Sequence, residues 1–329
     1  MLTPGTRHPI ASSAAWRARD VADATLWTIE LTDAERDELV SVARGLAVSG
    51  RAPETMTPGD APLPALSQTV ARVVELLDRD CGFTLLRRFP VDVLDEREIE
   101  LAYVALGLQL GTPVSQDAAG TRLGHVRDER VARTGPEVRL YRTRERQEFH
   151  TDGADIIGLL CLRAARSGGE SKLASAYAVY NELLARRPDL LDVLYEPMWW
   201  DRNDEQAPGE DPAYALPVVS EVNGAPRIFF IGWYIRDAQR HASVPRLRPD
   251  QLEAIAAIEE IANSDAFHVA MDFRPGDVQL LNNAKILHAR EAYEDHDDPS
   301  ARRHLLRLWL RAHAFDSVEE MLRGGIPRR

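Results

Sequence analysis

Residues 149–158 read FHTDGADIIG, and the apolar run IIGLLCLR follows directly at 156–163. In extended backbone alternate side chains share a face, so His150 and Asp152 point one way and Thr151 the other. An imidazole and a carboxylate can then reach one point in space, as half of a metal site does. A surface turn carrying a chance His-x-Asp is the competing reading, because such a pair is common in soluble proteins.

Working outward, the chain from about Glu137 is a series of short β-rich runs: VRLYRT, IIGLLCLR, YALPVVSEV, RIFFIGWYI, DVQLLNN and HLLRLWLRA. Asn223-Gly224 lies between two of them and predicts a type I′ hairpin. Helical patterns interrupt this half twice, at about 176–195 and 250–263, without the βα alternation of a doubly wound sheet. Upstream, Thr32 with Glu35 forms a capping box for a helix running to about Leu46. Val70, Val73, Val74 and Leu77 space a second helix. Asp95 with Glu98 caps a third, carrying Leu101, Val104, Ala105 and Leu108 and closed by Gly111. CGFTLLRRF between the last two reads as a strand. The expected fold class is therefore α+β with a mainly β core: a double-stranded β-helix (jelly-roll or cupin-like) barrel with flanking N-terminal and inserted helices. One domain is expected over 1–329, with a helical flank at about 1–80 and the jelly-roll core at about 81–315.

Composition narrows the function classes. The 329 residues can bury a sizeable core. A formal charge of −12 and the absence of basic runs interleaved with aromatics speak against nucleic acid. Cys81 and Cys161 sit far apart in apolar sequence and read as buried thiols, which suits a reducing cytoplasm. The first residues lack the apolar core of a signal peptide, and no apolar run approaches the roughly 18 residues of a membrane span. A cytoplasmic protein with a small-molecule substrate, no membrane partner and a sequence compatible with a homo-oligomer is expected.

A second ligand candidate raises the metal reading. His288, in GDVQLLNNAKILHAR, follows an apolar strand and a Gly276-Asp277 turn. His8 and His241 lie in loop-like sequence, His296 among acids, and His304 and His313 beside the last apolar run; His268 reads as a core or edge residue. Two histidines and one carboxylate on neighbouring strands would form the facial triad of non-haem Fe(II) oxygenases, with three adjacent positions open.

At this point the chain resembles the TauD/TfdA, or clavaminate synthase-like, branch of the Fe(II)/2-oxoglutarate-dependent dioxygenases. The resemblance runs from about Cys81 to Ala314 and rests on FHTD, SGGESKL, RPGDVQLLNN, LHAREAYED and RRHLLRLWLR, in that order. It implies that His150, Asp152 and His288 hold Fe(II), and that Arg303 clamps the far carboxylate of 2-oxoglutarate through paired guanidinium hydrogen bonds. Ser171 stands where the family usually has a threonine that bonds the same carboxylate. Arg307 resembles the second arginine, near the metal-bound end of the cosubstrate or the substrate. Asn282 and Asn283 stand where relatives often have Asp-Asn, and Ala284 replaces an arginine that follows.

The resemblance implies consumption of 2-oxoglutarate and O2, release of succinate and CO2, and oxidation of an unactivated C–H bond, by default hydroxylation. Because Asp152 is present, halogenation, which requires that ligand position to be vacant, is disfavoured. Candidate substrate residues are Gln116, His125 and Arg127, in the polar stretch SQDAAGTRLGHVRDE. Phe229, Trp233 and Tyr234 are further candidates, although core packing is the simpler reading for aromatics. Arg127 and Arg307 would suit a carboxylate or amino-acid substrate. Two alternatives compete: a metal-dependent hydrolase or isomerase using the same ligands, which leaves Arg303 and Ser171 without a role, and a non-catalytic metal or ligand sensor.

Overall fold

Alternation of apolar residues between two buried faces organises the centre of the molecule. The computed structural model describes residues 7–117, 119–130, 139–222 and 225–315. Its largest element is a mixed seven-stranded sheet in the order Thr28–Glu30, Phe83–Arg87, Val278–Asn282, Ile156–Arg163, His304–Ala312, Gly111–Pro113, with Leu123–Val126 also paired to His304–Ala312. Thr28–Glu30 joins Phe83–Arg87 in parallel, and the other pairings of that sheet are antiparallel. A second sheet of four strands runs His268–Met271, Ser171–Ser175, Ile286–Arg290, Gln147–His150.

The central strands of the large sheet, Val278–Asn282, Ile156–Arg163 and His304–Ala312, are buried on both faces over most of their length, which is why their sequences are largely apolar. Ile156, Leu160, Val278, Leu280, Leu306 and Leu308 face the helices Asp33–Val48 and Glu96–Leu110 and pack with Leu39, Ala43, Leu101 and Val104. Their neighbours Ile157, Cys161, Leu281 and Leu305 turn the other way and meet Leu173, Met271 and Ile286 of the four-stranded sheet. The outer face of that smaller sheet carries Phe149, Ala174, Leu287 and Ala289, covered by Ala176–Arg186, Pro188–Leu194 and Pro249–Asn263. The layers are thus helices, large sheet, small sheet, helices.

Both upstream capping boxes form: Thr32 accepts from Glu35 N and Asp95 accepts from Glu98 N. The segment 176–195 is two helices rather than one, because Pro188 begins a new helix where its ring cannot continue the old one. RIFFIGWYI is not a continuous strand: Ala225–Ile228 is extended, and Gly232–Asp237 is a helix, so the described residues of this half hold four α-helices. Nor do the described residues of VRLYRT, 139–143, form a strand: Leu140–Arg142 is a 3-10 turn. Val219–Val222 pairs antiparallel with Ala225–Ile228, Val222 opposite Ala225; the expected Asn223-Gly224 turn lies outside the described residues.

Candidate metal centre and active site

His150 is the last residue of the strand Gln147–His150, and His288 is central in Ile286–Arg290 directly opposite it. Their ring centroids are 4.1 Å apart. Asp152 is not on the strand: the chain leaves the sheet after His150, and a different device aims the carboxylate. Thr151 donates its N–H to Phe230 O at 2.7 Å, and its hydroxyl accepts from Phe230 N at 2.9 Å, which ties it away from the histidines. The Asn283 carboxamide then grips the turn, accepting from Asp152 N at 2.8 Å and donating to Asp152 O at 2.6 Å and Ala154 O at 2.9 Å. Gly153 does not adopt a positive φ, so the turn owes its shape to Asn283 rather than to glycine's conformational freedom.

The result is a cluster in which one ligand atom each of His150, Asp152 and His288 lies within 4.8 Å of the others. His150 Nε2 is 3.8 Å from Asp152 Oδ1, and His288 Nε2 is 3.4 Å from Asp152 Oδ2. Glu148 O accepts from His150 Nδ1 at 2.8 Å, a tautomer that directs the Nε2 lone pair inward. The Gln147 amide lies 3.1 Å from that same nitrogen. Burial, reinforced by His288, pushes the His150 imidazole down to about 3, so it is neutral at physiological pH. Burial alone would raise Asp152, but His288, Arg307 and His150 outweigh it and hold the carboxyl below its usual range. Two imidazoles and one carboxylate with an oxygen lacking a hydrogen bond among the described residues are a donor set fitted to Fe(II).

Beside this cluster Arg290 and Arg303 are buried without a carboxylate ion-pair partner among the described residues. Ser171 stands opposite Arg290 in the small sheet, so both lie on the face that carries His288. Arg303, 4 % exposed, sits 5.0 Å from the Tyr293 ring centroid, and Arg290 is 5.3 Å from the same ring. Arg303 Nη1 and Arg290 Nε and Nη1 have no hydrogen-bond partner among the described residues. Burial and then Arg303 push the Arg290 guanidinium down to about 10; burial likewise lowers Arg303. Gly169 makes room for this group. Its φ is +81°, and a Cβ there would meet Arg303 Nε and Tyr293 Cβ, each at 3.2 Å. Ser171 donates to Gln279 Oε1 at 3.0 Å. Arg290 was absent from the sequence-based candidates, although its position two residues beyond His288 on one strand face was a usable signal.

A cavity of about 580 Å³ opens on His150 and Asp152 from the opposite side. Arg307 and Gln116 both line it; Gln116 Oε1 accepts from Arg307 Nε at 2.6 Å, and its amide donates to Arg122 O and Arg307 O. Phe229, Trp233 and Tyr234 also line the cavity; Phe229 belongs at the same time to the apolar core and Trp233 and Tyr234 pack against it, with Trp233 5.0 Å from the His150 ring. His125 and Arg127 are not in its wall. His125 faces His304, Nδ1 to Nε2 2.8 Å, and Arg127 is exposed. The alternation of the strand Leu123–Val126 and its pairing with His304–Ala312 turn this segment away from the cavity. His268 is an edge-strand residue bonded to Ala262 O, as expected of a non-ligand.

Residues 50–309 match the family described as "Taurine catabolism dioxygenase TauD, TfdA family". The chain belongs to the TauD/TfdA family. Among curated TauD/TfdA relatives, FR-33289 synthase of Streptomyces rubellomurinus is 33 % identical over 92 % of this chain and 91 % of its own. Taurine hydroxylase-like protein SAT17 of Stachybotrys chartarum is 29 % identical, covering 89 % and 77 %. A uridine-5'-phosphate dioxygenase of Amycolatopsis is 29 % identical over 78 % of this chain and 93 % of its own. The fold is similar to asparagine oxygenase in complex with Fe(II), 3-hydroxyasparagine and succinate, with TM-score 0.64 and 19 % identity, covering 86 % of this chain and 93 % of that one. It is similar also to OrfP in complex with Fe and alpha-ketoglutaric acid, with TM-score 0.63, 19 % identity and the same coverage. This TauD/TfdA chain is a non-haem Fe(II)/2-oxoglutarate-dependent dioxygenase, and neither the hydrolase nor the sensor alternative finds support.

Proposed function

We propose that this dioxygenase hydroxylates a C–H bond of a small anionic metabolite, an amino acid or another oxyanion-bearing compound, held in the cavity beside His150 and Asp152. The observation that carries the reading is the position of Arg307, a buried guanidinium on the same cavity wall as these two residues. His150, Asp152 and His288 hold the iron. Arg303, Arg290 and Ser171 take the far carboxylate of 2-oxoglutarate, whose charge would satisfy the guanidinium N–H groups that lack partners.

When bound, Fe(II) with 2-oxoglutarate and O2 supplies the oxidation: the cosubstrate loses CO2 to give succinate, and one oxygen atom is delivered to the substrate. The protein's own contribution is placement and exclusion of water. Gln116 fixes the Arg307 guanidinium at a set angle to an anionic substrate group. Phe229, Trp233, Tyr234 and Trp309 give the cavity its apolar walls. Asp152 occupies the carboxylate ligand position, which favours hydroxylation over halogenation.

In this reading the two stacked sheets form a double-stranded β-helix core, and the N-terminal helices belong to one dioxygenase unit with it. A cytoplasmic setting is supported by the two buried free thiols, and no described helix is long and apolar enough to cross a membrane. Neither a basic patch for nucleic acid nor a membrane partner is part of the proposal, and a homo-oligomer is compatible with it.

The test is anaerobic titration of the Fe(II) protein with 2-oxoglutarate. A metal-to-ligand charge-transfer band is expected for the wild type and not for His150→Ala or Asp152→Ala. On admission of O2, succinate release should be stimulated by one member of a panel of amino acids and other small anions. Absence of both the band and turnover would sink the reading.

A further inference from the structure

The wall of the cavity includes a loop whose construction the cosubstrate chemistry does not explain. Arg202, Asn203 and Gln206 line the cavity immediately after the strand Pro197–Asp201. Asn203 and Asp204 take consecutive left-handed conformations, φ 56° and 58°, which cost non-glycine residues about 1 kcal/mol or more each. Such strain persists where surrounding contacts over-determine the backbone. Here the contacts converge on Asp201, 1 % exposed. Its Oδ1 accepts from Asn203 N at 2.6 Å and Arg240 Nη2 at 3.1 Å, and its Oδ2 accepts from Arg240 Nε at 2.7 Å with His241 Nε2 at 3.0 Å.

What this scaffold presents is a set of buried polar atoms without partners. Asn203 is 4 % exposed, yet among the described residues its Nδ2 has no hydrogen-bond partner, and neither has Arg202 Nε or Gln206 Oε1. Arg202 rests 5.0 Å over the Tyr214 ring and forms no ion pair among the described residues. The acids around it are already engaged: Glu205 pairs with Arg139, Asp204 with Arg240, and Glu210 accepts from Ala207 N. A buried donor without an acceptor costs roughly 1–3 kcal/mol, so these groups are stable where a ligand completes them.

We propose that the Arg202–Gln206 segment is the second recognition point for the substrate, reading a carboxylate or phosphate at the end remote from the metal. Two donors, one of them cationic and planar, against one acceptor match an oxyanion rather than an ammonium or an apolar group. A cavity of about 580 Å³ lies within the roughly 300–1,000 Å³ that encloses drug-sized ligands, so one molecule can reach from Asp152 to this loop. The substrate is therefore two-ended: a C–H bond near the metal ligands and an oxyanion at Arg202. This inference rests on the proposed placement of substrate in this cavity.

The experiment uses the anaerobic Fe(II)·2-oxoglutarate enzyme and follows the charge-transfer band as paired probes are added: uridine 5′-phosphate against uridine, and L-glutamate against L-glutamine. In the wild type the charged member of at least one pair perturbs the band at lower concentration, the phosphate and carboxylate pairs distinguishing the two oxyanions. Arg202→Gln and Asn203→Gly should each raise the apparent Kd of that charged probe about tenfold or more, a loss of about 1.4 kcal/mol. The uncharged partner's affinity should not change. Arg202→Lys should restore part of the loss. Asn203→Gly also separates recognition from scaffolding: glycine relieves the positive φ, so thermal stability should hold or rise while binding falls. Equal effects on charged and uncharged probes, unchanged affinities in both variants, or a wild type blind to every charged probe would overturn the proposal. Failure of the band to form at all would instead overturn the cosubstrate reading beneath it.

Discussion

At the scale of single residues the His-Asp-His cluster is shaped by Asn283, which lies outside the cavity wall. Asn283 makes three hydrogen bonds to the turn that aims Asp152, so Asn283→Ala leaves a buried N–H and two carbonyls unpaired. Fe(II) affinity should fall about 10–100-fold in anaerobic titration, while the far-UV spectrum stays native. Protonation acts on the same scale. Burial, His125 and Arg163 push His304 down to about 3 from an ordinary 6.5, and His150 behaves alike. Below the ordinary value the unfolded chain binds protons that the folded chain refuses, so stability falls as pH drops through the window from 6.5 toward 3. The urea midpoint of the metal-free protein should therefore decrease between about pH 7 and about pH 5, and His304→Gln should make that decrease smaller. The His-x-Asp spacing was legible because chemistry demanded those residue types. The exclusion of His125 was not, since nothing local records that its strand turns toward His304 rather than toward the cavity.

At the scale of elements, turns and caps decide which groups meet. Gly168 and Gly169, just before the strand Ser171–Ser175, both take positive φ, 74° and 81°. Gly169→Ala introduces backbone strain and a Cβ against Arg303 and Tyr293. Its expected outcome is weaker 2-oxoglutarate binding by calorimetry on the Fe(II) protein, with Fe(II) affinity unchanged. Thr32→Ala removes the capping box of Asp33–Val48 and should cost about 0.5–2 kcal/mol in denaturant unfolding without altering cosubstrate affinity. Capping residues made these helices readable because the interaction lies within one turn of chain. RIFFIGWYI was not readable in the same way: its apolar residues suit a strand, but only Ala225–Ile228 is extended, Trp233 and Tyr234 line the cavity from a helix, and burial by other elements chose between the two.

At the scale of the whole molecule the N-terminal segment is part of the main sheet. Thr28–Glu30 covers the edge strand Phe83–Arg87. Removing residues up to 31 should expose that edge, lower the thermal midpoint and increase association in size-exclusion chromatography. Parallel pairing of segments so distant in sequence leaves no local signal, which is why this strand was unforeseen. The same contrast separates what the chain alone determined from what folding decided. Ordered motifs pointed to the His-Asp-His cluster, to Arg303 just before the last strand and to a core built on sheets, because each reflects local periodicity or ligand chemistry. Tertiary structure decided that Arg290 joins Arg303 around Tyr293, that Asn283 rather than glycine shapes the metal turn, and that Arg202 and Asn203 face the cavity. Those facts depend on strand register and on which unpaired polar groups packing leaves buried, and such groups become visible once distant segments meet.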